Sequence, residues 1–386
     1  MKYFVSLFCF LTFLNLSAQT DIFFVAPSQT NADYEVDQDS HQVVINLDQS
    51  NDKLFLFFGG TGSMTNSYRT ISRFAADLGY HVLNLSYPNT VAAASLSNIP
   101  DSLSFRRYRQ EVCYGTAQSL AVQVDSLNSL HGRIINLLNY LDVEFSDQDW
   151  DSFLVDDENL DWSKIATGGH SQGAGHAAYF AKQEVVDRVL MFSGPNDFSD
   201  FTLTSAEWLR EQGATPTDRH FAYLGLLDEI VDFEKQLTNI QGLGIYPAYD
   251  TVHVDVVDAP YGDSRCLYTT QPPGIALLNH NATVRLSLIN NEVWEYMFET
   301  PFSTNLTSYP VANNLKVYPN PSASTFKIEN VHPLNLNDMN VFDTQGKGVS
   351  FRSNHLADGV VIDLSGQSAG LYVVQFGSQI VKIVKL

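Results

Sequence analysis

The chain has 386 residues, with 22 Lys and Arg against 43 Asp and Glu, a formal charge of −21 and a hydrophobic fraction of 44%. That balance is globular rather than disordered. It argues against nucleic acid as a partner unless a local patch reverses the overall sign, because a phosphate-neutralising protein needs a basic surface, and it disfavours acidic membrane surfaces for the same reason.

The first eighteen residues form a unit of their own. Lys2 precedes the apolar run Tyr3-Phe4-Val5 and Leu7-Phe8-Cys9-Phe10-Leu11, and the small residues Ser17 and Ala18 precede Gln19. A basic end, a short apolar core and small residues at the exit are the three parts of a secretory signal. The run, broken by Ser6, Thr12 and Asn15, falls short of the ~20 residues a membrane span needs, so no integral membrane segment is expected once residues 1–18 are removed. Removal also takes Lys2, leaving a charge of −22, and Cys9, leaving Cys113 and Cys266. In an oxidising compartment those two are a candidate disulfide.

From residue 19 to 302 strand and helix patterns alternate. The apolar run 54–58 ends in Gly59-Gly60, as a strand buried on both faces does. A helix is predicted over 67–78, with Ile71, Phe74, Ala75 and Leu78 on one face and Gly79 as its stop. Strand 81–85 follows, then a long helix 118–140, strand 165–167, helix 174–182, strands 188–192, 221–226 and 252–257, and helix 290–298. Such repeats force a mostly parallel sheet with helices on both faces, an α/β class. Insertions at 88–117 and 142–164 are expected to shape access to its edge. Residues 303–314, uncharged and rich in Ser, Thr and Asn, read as a linker. Beyond it, from 315 to 386, short β runs at 315–318, 325–328, 339–342, 360–364 and 371–376 punctuated by glycines predict a small β-sandwich.

The chemistry concentrates at Gly168-Gly169-His170-Ser171-Gln172-Gly173-Ala174. Gly-x-Ser-x-Gly between a predicted strand and a predicted helix is the nucleophile-elbow pattern: the flanking glycines allow the sharp turn that lifts the serine hydroxyl to the sheet edge, at the positive end of the following helix. A serine needs a base and an orienting carboxylate. Both occur in order on later loops, Asp228 after strand 221–226 and His280 in Asn279-His280-Asn281. Asp197, in Ser193-Gly194-Pro195-Asn196-Asp197, is the rival acid. The oxyanion requires N–H donors. One is assigned to Gln172, the residue after the nucleophile. The other falls in Gly59-Gly60-Thr61-Gly62, where Thr61 is preferred and Gly60 stays open. His170, Asp197 and Trp208 are further candidates for substrate contact, with Phe198 and Phe201 beside Trp208 as an apolar wall. Arg106, Arg107 and Arg109 form a cationic cluster that either binds a substrate anion or pairs with surface acids.

The order Ser, Asp, His across residues 21–300 resembles the α/β-hydrolase superfamily. The resemblance implies a carboxylic ester hydrolase working through an acyl-enzyme. Amide or peptide hydrolysis on the same triad, or an inactive surface-binding protein, are the alternatives. No cofactor or metal is expected. Asp147, Asp149, Asp151 and Glu158 imitate calcium-loop spacing, but Ser152 stands where such loops need glycine, and there is no His-Glu-x-x-His.

Val317-Tyr318-Pro319-Asn320-Pro321, Phe342-Asp343-Thr344-Gln345-Gly346-Lys347, Ala369-Gly370-Leu371-Tyr372 and the closing Val381-Lys382-Ile383-Val384-Lys385-Leu386 occur in one order. That segment resembles the C-terminal sorting domain of the type IX secretion system. The resemblance implies that machinery as a partner and a final place outside the cell or on its surface.

Overall fold

The structure is a computed structural model that describes residues 20–34, 39–246, 250–272, 278–302, 316–329, 339–343, 347–356, 359–376 and 379–386. The signal segment and the linker lie outside the described residues. Two compact units result, divided between Phe302 and Ser303. Among the described residues no helix is long and apolar enough to cross a membrane.

The first unit is built on a nine-stranded sheet. Its strands are β1 (Thr20–Val25), β2 (His41–Asn46), β3 (Leu54–Phe58), β4 (His81–Leu85), β5 (Ile165–His170), β6 (Arg188–Phe192), β7 (His220–Gly225), β8 (Thr251–His253) and β9 (Cys266–Thr269). Their spatial order is β1-β2-β4-β3-β5-β6-β7-β9-β8. Only β2 runs against the rest, since it is antiparallel to both β1 and β4 while every later pair is parallel. This is the α/β-hydrolase arrangement. The alternation within β3 shows why the sheet needs cover on both sides: Leu54, Leu56 and Phe58 enter one apolar cluster, Phe55 and Phe57 the other.

On the first face lie α2 (Ser104–Tyr114), α3 (Leu130–Glu144) and α4 (Gln172–Gln183), through residues such as Phe105, Leu137 and Phe180. On the second lie α1 (Arg69–Asp77) and α7 (Ser287–Glu299), through Ile71, Ala75, Val293 and Trp294. Between them in the chain come α5 (Phe233–Gly242) and α6 (Leu278–Arg285).

Two sequence expectations are corrected. The single helix expected over 118–140 begins only at Leu130, as α3, and an irregular segment separates it from α2. Gly115 leaves α2 at φ 72°, and a Cβ there would stand 2.2 Å from the backbone of Asp125 and Ser126. The buried Glu111 carboxylate takes the N–H groups of Gln118, Ser119 and Val124, so helix hydrogen bonds are not needed there. Ser129 then starts α3 by accepting from the Gly132 N–H at 3.1 Å. The stretch 252–257 is strand only to His253, and the interval before His280 contains β9, inserted between β7 and β8.

The second unit pairs a four-stranded antiparallel sheet with a three-stranded one. In the first, strands β10 (Lys316–Tyr318), β11 (Thr325–Glu329), β13 (Arg352–Leu356) and β14 (Gly359–Asp363) run in the order β10-β11-β14-β13; in the second, β12 (Met339–Phe342), β15 (Gly370–Phe376) and β16 (Gln379–Lys385) run in the order β12-β15-β16. Phe326, Ile328, Val360 and Ile362 of one sheet share a core with Val341, Tyr372, Val374 and Ile383 of the other, which makes a β-sandwich. The sequence had not signalled β13 or β16.

Candidate active site

At the end of β5 the chain turns into α4 through Ser171, which holds φ 57° and ψ −121°. A β-carbon-bearing residue in that region stores roughly 1–3 kcal/mol of strain, so the surroundings must enforce it. They do so by close approach. A Cβ on Gly169 would lie 2.3 Å from the Gly173 backbone, and one on Gly173 would lie 1.9 Å from the Phe58 carbonyl oxygen. The Ser171 N–H donates to the Phe192 carbonyl at 2.8 Å, pinning the turn to the neighbouring strand β6. Ser171 is 8% exposed, at the rim where β3, β5, β6 and β7 end.

Asp228 follows β7 and His280 lies in the first turn of α6. His280 Nδ1 and Asp228 Oδ2 are 2.7 Å apart. The carboxylate is fixed from all sides: Oδ1 accepts the N–H groups of Ile230 and Val231, each at 2.9 Å, and Oδ2 also accepts from Gln236 Nε2 at 3.1 Å. An ionised carboxylate has no proton to give, so Nδ1 is the donor, and Nε2 is left to accept a proton.

The His280 backbone is fastened to the elbow. Its carbonyl accepts from Ser193 Oγ, just beyond β6, at 2.8 Å and from His170 Nε2, beside Ser171, at 2.8 Å. The roles of His170 follow from its other nitrogen. The Gly60 N–H donates to Tyr68 Oη at 2.8 Å, the Tyr68 hydroxyl then donates to His170 Nδ1 at 3.1 Å, and His170 Nε2–H donates to His280. Burial first, and then the His280 charge, hold His170 well below the ordinary histidine pKa, so it stays neutral in this chain of donors. His170 is therefore placed against the His280 backbone and not toward substrate. Neither Tyr68 nor Ser193 carries a local sequence signature for this role.

Of the two oxyanion alternatives, Gly60 has spent its N–H on Tyr68. The loop is held by Asn89 Nδ2, which donates to the carbonyls of Gly60 and Ser63, and by Tyr87, whose hydroxyl donates to Gly59. Thr61 Oγ1 donates to Gln172 Oε1 at 3.0 Å, so Thr61 and Gln172 meet. Gln172 opens α4, where the first N–H groups have no partner within the helix. A Cβ on Gly60 would come within 3.1 Å of Ser171 Cβ.

Other sequence candidates are placed elsewhere. Asp197 is not an acid for histidine: fully buried, it receives Arg109 Nε at 3.0 Å, Arg109 Nη2 at 2.5 Å and Trp208 Nε1 at 2.9 Å. Trp208, itself 2% exposed, is core and not a pocket wall. Phe201 is mostly exposed. The arginines are committed too, Arg106 to Glu207 and Glu211, Arg107 to Asp101 and Arg109 to Asp197, so of the two readings of the cluster the structure shows pairing with the protein's own acids. Cys113 and Cys266 are separate buried thiols, contrary to the disulfide expectation. Cys266 lies on β9 and not on a free loop, and Cys113 on α2 lies against His176 Nδ1 at 3.6 Å. Burial pushes Cys266 up to about 12 and Cys113 higher still.

One neighbour of Ser171 was not anticipated. Asn196 Nδ2 donates to Ser171 Oγ at 3.1 Å. Asn196 also lines a cavity of about 330 Å³ whose walls include Phe198, Asp228, Glu229, Asp232 and Asn239. Among the described residues no group of three or more His, Cys, Asp or Glu is arranged to hold a metal ion.

Residues 316–386 match the family described as a secretion system C-terminal sorting domain. That domain marks proteins exported by type IX secretion to the cell surface or beyond. No curated protein matches the chain in sequence. Similar solved structures include esterase 2 of Thermogutta terrifontis, at 12% identity and TM-score 0.36 over 70% of this chain and 91% of that one. A truncated carbohydrate esterase from gut microbiota is similar at 10% identity and TM-score 0.38, covering 72% and 95%. A dienelactone hydrolase of Anabaena variabilis is similar at 15% identity and TM-score 0.34, covering 72% and 98%.

Proposed function

We propose that the exported chain is a serine hydrolase of carboxylic esters, with Ser171 as nucleophile, His280 as base and Asp228 as the orienting acid. The observation that carries the reading is the 2.7 Å contact of His280 Nδ1 with Asp228, on a histidine whose backbone is bonded to the residue beside Ser171. The strained elbow and the Thr61–Gln172 contact support it from the other side of the hydroxyl.

In this mechanism Ser171 Oγ adds to the acyl carbon as its proton passes to His280 Nε2. The carbonyl oxygen gathers negative charge, met by the Gln172 and Thr61 N–H groups, and Asp228 stabilises the imidazolium. His280 returns the proton to the leaving alkoxide, giving an acyl-enzyme and the free alcohol. Water then attacks the acyl carbon by the same route and regenerates Ser171 with release of the acid. Every step is a proton or acyl transfer among these residues.

A fluorophosphonate probe tests the assignment. The full chain is expected to label once and Ser171→Ala not at all. Labelling that persists in the variant overturns the nucleophile, and a folded wild type that never labels overturns the hydrolase. Release of nitrophenol from short-chain esters, with none from peptide anilides, is the expected division between ester and amide.

A further inference from the structure

The cavity beside Ser171 has an unusual balance of hydrogen-bonding groups. Two carboxamides stand in its wall, and both have turned their NH2 groups to the protein: Asn196 Nδ2 to Ser171 Oγ and Asn239 Nδ2 to the Pro195 carbonyl at 2.8 Å. Their carbonyl oxygens are buried, and neither has a partner among the described residues. Asn239 is wholly buried. A buried acceptor left unpaired costs free energy that a donor from a ligand restores. Around them are the carboxylates of Asp200, Glu229 and Asp232. Among the described residues the cavity's one basic residue, Lys235, is committed to Asp200 at 2.5 Å and lies 5.4 Å from the centre of the Phe198 ring.

Apart from the Ser97 hydroxyl, the unused side-chain capacity of this cavity among the described residues is therefore accepting. An anionic ligand finds no free cation there and faces carboxylates. An ammonium would find its unpaired counter-charges only on Glu229 and Asp232, which are exposed and screened by water, and would lose hydration that the two buried amide carbonyls do not replace. Hydroxyl groups fit both constraints, since each brings a donor and no charge, and the Phe198 ring offers an apolar face of the kind on which the C–H side of a polyol packs. At about 330 Å³ the cavity lies at the small end of the range for small-molecule sites.

The side of the ester that enters follows from the proton's path. The imidazole that takes the Ser171 proton must deliver it to the leaving oxygen, so the alcohol departs on the His280 side. Asp228, which orients that imidazole, and the loop after it, Glu229 to Asp232, bound the cavity. We infer that this cavity is the leaving-alcohol subsite and that it takes an uncharged polyhydroxylated alcohol, so that the preferred substrates are acyl esters of sugars or comparable polyols. The inference rests on the serine-hydrolase reading and adds the substrate class to it.

The test compares the full chain on methyl 6-O-acetylglucoside and on cyclohexylmethyl acetate, which keeps the ring and the ester and lacks the hydroxyls. Acetate release is measured as kcat/KM, each value divided by the ester's own rate with hydroxide. The expected ratio favours the glucoside by about tenfold or more, as a site built to bond hydroxyls rejects an analogue without them. Asn239→Leu is expected to bring the ratio toward one while the fluorophosphonate labelling rate persists. A wild-type ratio at or below one, in protein that labels normally, overturns the subsite. Absence of labelling overturns the nucleophile assignment instead, so the two failures are separable.

Discussion

Two carboxylates follow consecutive strands at the same rim of the sheet, and they have opposite fates. Asp197, after β6, is locked in a fully buried pair with Arg109, whose guanidinium also donates to the Gln172 carbonyl and approaches His176 Nδ1 at 3.1 Å. Asp228, after β7, gives one oxygen to two backbone N–H groups and the other to His280 and Gln236. The chemistry of the two side chains is the same, and the partner decides the role. A guanidinium that never loses its proton makes Asp197 an anchor under the elbow helix. In the proposed mechanism, an imidazole that can gain one makes Asp228 the orienting group of a proton-transfer site.

The largest effect comes from cutting the second pair. Asp228→Asn is expected to lower kcat/KM by about 10⁴-fold, because the amide presents a donor where Nδ1–H needs an acceptor and turns the imidazole to the wrong tautomer. The folded state survives, since the backbone N–H groups still find the amide oxygen. Asp197→Ala should invert the outcome. It leaves the Arg109 charge buried without a partner, which costs about 3–5 kcal/mol of stability, while folded protein keeps the His280 contact. Urea midpoints and ester kinetics on both variants decide the comparison. If Asp197→Asn removed activity and Asp228→Asn spared it, the acid would have to be reassigned one strand earlier. Replacing Arg109 and Asp197 together by Met and Leu sharpens the point, with much of the lost stability expected to return.

A smaller cut falls on the link between elbow and base. His170→Phe removes the donor to the His280 carbonyl and the acceptor for Tyr68. The base is then free to drift, and kcat should fall about 10–100-fold with KM nearly unchanged, the scale of a 1 Å misplacement. Tyr68→Phe frees the Gly60 N–H and should cost less. A KM raised as much as kcat is lowered in His170→Phe would mean that it touches substrate after all.

Much of this was legible from residue order alone. The apolar run 54–58, the strand before Gly168 and the glycines around Ser171 announce the elbow, because burial on both faces and a tight turn demand those residue types. Asp228 and His280 follow from the need of a serine for a base and an acid on later loops. What stayed hidden depends on pairs distant in sequence. Asp197 and Asp228 occupy similar local contexts, and only Arg109, 88 positions before Asp197, separates them. The strand at Cys266–Thr269 is four residues long and lacks flanking periodicity, so it passed for loop. Asn196 and Asn239 have no local signature, since their meaning is a missing partner in a three-dimensional wall.

Acid attacks both pairs from beneath. His176, beside Arg109, and His170, beside His280, are each held well below the ordinary histidine value, by burial first and then by the neighbouring charge. His220 is pushed down to about 4 and His41 to about 3, both by burial. A histidine whose folded value is depressed takes up its proton first in the unfolded chain. Its stability is therefore intact above about pH 6.5 and is lost as pH falls below that toward the folded value, at up to about 1.4 kcal/mol per unit and per group. The melting temperature should fall steadily from pH 6.5 to 4.5. A flat profile over that interval would mean that these rings are hydrated or paired in the folded state.

The smallest effect tests the two thiols, one on each side of the comparison. Cys113 lies against His176 in the Arg109 cluster, and Cys266 stands on β9, registered with Ala222 of the strand that leads to Asp228. A bridge between them would stabilise by about 2–4 kcal/mol, largely by constraining the unfolded chain, and reductant would lower the melting temperature by several degrees. Two buried thiols with raised pKa values carry little thiolate and react slowly. Protein purified under oxidising conditions is therefore expected to melt at the same temperature with and without reductant. It should titrate no thiols with a disulfide reagent while folded and two, Cys113 and Cys266, after denaturation of the mature chain. A count of zero after denaturation without reductant would restore the bridge, and it would then have to draw α2 and β9 together across the core that separates them from solvent.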